Sequence, residues 1–194
     1  MTELSNMRDL VATELSEVRT TLPGTVIAWN GRLATVRPSI PKRLANGRVL
    51  QAPQIVSVPV HFPVGDGGSA MITVPLKPGD SVTLHFCERS MEQWLSGSQD
   101  APDDPRQFDL TDAFATPHLA PFVAGADTEN LSIQYGGGSI KISPSGDITM
   151  TGNVSINGNL SIAGGSMTHN GKNVSDTHVH GGIAPGPDTT GVPQ

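Results

Sequence analysis

Cys87 is the only cysteine in 194 residues, so no disulfide can form within the chain and a thiolate metal site cannot be completed by it. Its simplest reading is a small apolar strand residue. Aromatic residues make up 4 % of the chain and charged residues 15 %. No apolar run approaches the roughly 20 residues that cross a bilayer, and the N-terminus lacks the basic-then-apolar order of a signal peptide. The expectation is a soluble chain made without a secretion signal, acting at a membrane only from outside and as part of something larger. The net charge of −6, with no run of Lys and Arg, offers nothing general to a phosphate backbone, so nucleic acid is not an expected partner.

What the chain does have is turn chemistry, with 22 glycines and 16 prolines. Together with the weak charge this points to an all-β protein. Four segments follow from the patterning. Residues 1–22 place Leu4, Met7, Val11, Leu15 and Val18 at helical spacing behind Thr2 and Glu3, which predicts one short amphipathic helix that can dock on its own domain, on sister helices or on a partner. Residues 23–125 begin with short alternating strands at 25–29, 33–36, 55–60, 71–74 and 81–86. Asn30-Gly31 is a hairpin signal and Lys77-Pro78-Gly79-Asp80 a tight turn. Five strands in about seventy residues suggest a small barrel such as an OB-fold. Residues 98–125, with their prolines and Asp100, Asp103, Asp104 and Asp109, read as an irregular wrap without the regular spacing of a calcium loop.

Residues 126–168 carry apolar-x-apolar units: Leu131/Ile133, Ile140/Ile142, Ile148/Met150, Val154/Ile156 and Leu160/Ile162. Gly-Asn-Val-Ser-Ile-Asn is followed at once by Gly-Asn-Leu-Ser-Ile-Ala, a short repeat. Each unit sets two apolar side chains on one strand face, and about forty such residues are too few for a core of their own. Chains wound around a common axis, each covering the others' strand edges, solve this. A homotrimeric, triple-stranded β-helix is the arrangement expected, although the repeat alone does not separate three chains from two.

Residues 169–194 contain Asp176-Thr177-His178-Val179-His180. In an extended chain His178 and His180 face the same way. Two imidazoles do not close a site, but three chains on an axis supply six. Six nitrogens form an octahedron that disfavours tetrahedral zinc and suits Fe(II) or Ni(II). His169 falls out of phase with the pair and reads as an exposed turn residue. Other motifs fail. Gly65-Asp66-Gly67-Gly68-Ser69-Ala70 precedes a strand where a dinucleotide site needs a helix, and Gly171-Lys172-Asn173 lacks the rest of a phosphate loop. The Asn-x-Ser triplets at Asn130, Asn153, Asn159 and Asn173 are repeat turns rather than glycosylation sites.

Taken together, Lys77-Pro78-Gly79-Asp80, Cys87-Glu88-Arg89-Ser90, Trp94-Leu95, the run from Arg106 to Phe114 and the terminal His178-Val179-His180 resemble the baseplate assembly protein V, or central spike, family of Mu-like contractile phage tails and R-type pyocins. The resemblance covers nearly the whole chain. It implies an OB-fold collar, a triple-stranded β-helix and an apex with one iron per trimer, bound by His178 and His180 of all three chains. It also implies docking on baseplate hub and tail-tube proteins through the N-terminal helix and the barrel. Such a chain would be made in the host cytoplasm, sit at the baseplate tip of a virion or tail particle, and pierce the bacterial outer membrane as the sheath contracts. The calcium and chloride of some relatives map onto no residues here. A non-enzymatic role is expected, because the repeat and tip offer only Asp147 and Asp176 as acids and so no paired acid and nucleophile for a spike-borne cell-wall hydrolase. The other alternative, a trimeric receptor-binding adhesin, would call for a broad head where this chain has a small Gly-rich end.

Overall fold

A computed structural model describes residues 3–123, 125–179, 182 and 186. The chain divides into two compact units, Met1–Ala126 and Asp127–Gln194.

The first unit opens with helix α1 (Glu3–Glu17), on which Met7, Leu10, Val11 and Leu15 are all exposed. Lys42 Nζ reaches Glu17 Oε1 at 2.8 Å and ties down the helix end. Five strands follow: β1 (Thr21–Trp29), β2 (Leu33–Pro38), β3 (Ile55–Pro59), β4 (Ser81–Phe86) and β5 (Ala113–Pro117). They form one antiparallel sheet in the order β3-β2-β1-β4-β5. Alternation builds the core: Val26, Ala34, Val36, Val82, Leu84, Ala113 and Ala115 point inward at every second position, joined by Ile55 and Val58. The sheet curls until its edges meet, with Val60 bridging Ala115 in parallel and the His61 N–H donating to the Ala115 carbonyl at 2.8 Å. That curl brings β1 close over the core at Gly24, where an added Cβ would lie 2.6 Å from Val36 Cγ1.

The turns obey local chemistry. Asn30 Oδ1 accepts from the backbone N–H groups of Arg32 and Leu33, while Gly31 takes the left-handed conformation between β1 and β2. At the second turn the Lys77 N–H donates to Asp80 Oδ2 at 2.7 Å, with Gly79 at φ 100. The segment between β4 and β5 carries helix α2 (Glu92–Leu95) and is fixed by one buried carboxylate. Asp112 accepts from the Met91 N–H at 2.9 Å and from Arg106 Nε at 2.6 Å and Nη2 at 3.0 Å.

Two expectations change here. Only Ala70–Met71 of the apolar run near 71–74 is a strand, paired with Val64–Gly65 across the Gly-rich turn. Ile72 and Val74 stay exposed because no strand of the sheet lies beside them to bury a face. The fifth strand of the sheet is instead Ala113–Pro117, inside the segment read as irregular. Its inward positions are alanines, too small to mark an apolar face in the sequence.

The second unit contains β6 (Leu131–Tyr135), β7 (Gly138–Ile142) and β8 (Ile148–Thr151), an antiparallel sheet in chain order. A short hairpin, β9 (Thr168–His169) with β10 (Lys172–Asn173), comes later. No strand forms among residues 152–167. The protein is thus mostly β, and its larger part is a curled antiparallel sheet.

Candidate functional site

Strand register in the second unit decides which side chains share a face. Leu131 lies opposite Ile142 and Ile133 opposite Ile140, while across β7 Ile140 faces Met150 and Ile142 faces Ile148. Directly opposed residues in a sheet point to the same side. Six apolar side chains therefore form one continuous face. The other face carries Ser132, Gln134, Ser139, Lys141, Thr149 and Thr151. A half-polar sheet normally turns its apolar side to a core, yet here Leu131 is 67 % exposed, Ile148 61 % and even the central Ile140 42 %. Burying such a side chain is worth about 1.5–3 kcal/mol, which the single chain forgoes several times over.

The apolar units continue where the strands stop. Val154, Ile156, Leu160 and Ile162 are all exposed in a stretch without ladder hydrogen bonds. Among the described residues no strand pairs with this stretch, so it has the makings of a strand without a neighbour.

Asp127 anchors the start of this unit. Its Oδ1 accepts from the backbone N–H groups of Glu129 and Asn130, and its Oδ2 from Lys141 Nζ at 2.8 Å. The Lys141 ammonium, helped by those N–H groups, holds the carboxyl well below the usual carboxylate range. This pair was not legible in the sequence, where Asp127 marks only a change of composition. Among the described residues Ser132 Oγ is the one buried side-chain polar atom without a hydrogen bond.

Of the two predicted metal ligands, His178 is described and His180 lies outside the described residues. His178 Nδ1 is 2.8 Å from the Ser175 carbonyl, which can only accept, so Nδ1 carries a proton. A backbone carbonyl on the far ring nitrogen is the usual support of a metal-ligating imidazole. Among the described residues no three His, Cys, Asp or Glu side chains gather as a metal site within one chain. His169 sits exposed beside its turn, its Nε2 3.3 Å from Asn170 Nδ2. Asp147 Oδ2 accepts from Ser145 Oγ at 2.6 Å within a Ser-rich turn.

A family model described as the phage protein Gp138 N-terminal domain matches residues 22–118, half of the chain. The match begins one residue into β1 and ends one residue beyond β5, so it spans the curled sheet. No curated protein matches the chain.

Proposed function

Because the chain belongs to the phage proteins that share the Gp138 N-terminal domain, we propose that it is a tail component, the central spike of a contractile phage tail or pyocin-like particle. In this reading the first unit is an OB-fold collar. The strand order, closed by a parallel bridge between the third and fifth strands, supports that assignment. The second unit is one third of an intertwined β-helix. The observation that carries the reading is the apolar face of β6, β7 and β8, left uncovered in a chain whose apolar units run on beyond it. Three copies around an axis turn those faces into a shared interior and give residues 152–167 their neighbours. The collar and α1 dock on hub and tail-tube proteins, and the target is the bacterial outer membrane.

His178 and His180 of three chains would hold one iron at the apex. The metal would contribute octahedral ligation that ties three chain ends together, and the chain's part is the Ser175 carbonyl that orients His178. The spike is a passive point. Cell-wall or lipid hydrolysis abolished by changing Asp147 or Asp176 would overturn that view.

Metal analysis combined with native mass spectrometry tests the assembly. Three chains with one iron are expected, and changing both histidines to Ala should remove the iron while leaving three chains together. A folded monomer at micromolar concentration, or stoichiometric zinc, would sink the reading.

A further inference from the structure

A cavity of about 720 Å³ opens on the outside of the first unit, within the range of small-ligand sites. Three separate stretches build it: the β1–β2 turn and start of β2 with Arg32 and Leu33, the middle of β3 with Ser57, and α2 with Glu92 and Trp94. Nothing in the spike reading uses it.

Its chemistry is specific. The Trp94 indole is 56 % exposed yet braced from behind, edge-on to Phe114 at 5.3 Å, and Phe114 in turn stacks on His61 at 4.5 Å. A braced, exposed aromatic offers contact area with little ordering cost on binding. Around it the Arg32 guanidinium, the Glu92 carboxylate and the Ser57 hydroxyl have no hydrogen-bond or ionic partner among the described residues. One side chain gives planar donors, one gives acceptors, and the third gives both.

The position of Ser57 is itself unusual. Val36 pairs with Ile55 and Ala34 with Val58, so two residues of β3 stand against one of β2. Ser57 takes φ 58 in this bulge, a left-handed conformation unfavourable for a non-glycine residue. Bulges of this kind re-aim a side chain beside a site, and here the residue lines the cavity.

We propose that this cavity binds an uncharged hexose oligosaccharide. An apolar sugar face lies on the Trp94 indole, vicinal hydroxyls donate to Glu92, and ring or hydroxyl oxygens accept from Arg32 and Ser57. A nucleic acid fits worse, because Glu92 faces the ligand and the chain carries a net charge of −6. In the OB-fold proposed for this sheet, the second and third strands with their flanking loops can take oligonucleotides or oligosaccharides, and the charge of this site favours the latter. The inference rests on the first unit alone.

The test titrates maltotetraose, cellotetraose and chitotetraose into the full chain, read by tryptophan fluorescence and saturation-transfer NMR. Saturable binding of at least one sugar is expected. Trp94→Ala should weaken it at least tenfold, and so should the double variant Arg32→Ala with Glu92→Gln. The double variant changes only exposed, unpaired groups, so it decides the matter if Trp94→Ala fails to fold. Saturation by none of the three sugars, undiminished binding in the double variant, or displacement of the sugar by a short oligothymidylate would each overturn the proposal.

Discussion

Asp127 and Asp112 are both acids with several donors, but they work at different depths. Asp112 is buried and bonded to Arg106 and the Met91 backbone, so it fixes the long β4–β5 connection from inside. Asp127 opens the second unit, where Lys141 and the backbone N–H groups of Asn130 and Glu129 favour its charged form. A carboxyl depressed by folding adds stability above its unfolded pKa of about 3.9 and loses it as the pH falls from there toward the folded value. Acidification below about pH 4 should therefore loosen the sheet of β6, β7 and β8, and Asp127→Asn should remove that part of the dependence. Melting curves across an acid series check this, and identical profiles for variant and parent would refute it. Neither carboxylate's role could be read from the chain, because the partners that decide it, Lys141 for Asp127 and Met91 for Asp112, lie at separations that no short motif encodes. The pair His178 and His180 stands out in the sequence as two histidines that an extended chain would set on one face, but no strand runs through His178 and His180 lies outside the described residues. The cavity beside Trp94 was not legible, because its lining comes from three distant segments.

Among elements, the strands that were easy to read combine strict alternation with large side chains. The units Leu131/Ile133, Ile140/Ile142 and Ile148/Met150 became β6, β7 and β8 with the apolar face expected. Strand β5 hid behind alanines, and the apolar run near Ile72 gave a false signal because alternation records capacity for burial and not the presence of a neighbour. The same distinction explains residues 152–167, whose pattern is that of strands though a lone chain forms none. Ile140 sits on the central strand of the exposed face, so Ile140→Lys tests whether that face is an interface. The substitution should leave the first unit's unfolding within about 0.5 kcal/mol of the parent, since Ile140 belongs to the second unit. It should also break the trimer into single chains by light scattering. Trimers that persist with unchanged stability would mean the face is simply solvated.

For the whole molecule, two compact units with different means of burial should unfold differently. The first has its own core and should melt at a temperature independent of protein concentration. The second, if it is completed by sister chains as proposed, should melt higher as concentration rises. Calorimetry at several concentrations checks this, and a single concentration-independent transition would contradict it. The way the first sheet closes also has a bearing on how the protein is made. Val60 must wait for Ala115 before the edges can join, and 115 − 60 = 55 residues separate them. A ribosome adding about 5–20 residues per second needs about 3–11 s to deliver the missing strand. For that interval the nascent chain carries an open strand edge. Translation order thus places the strand that closes the first sheet ahead of the apolar repeat.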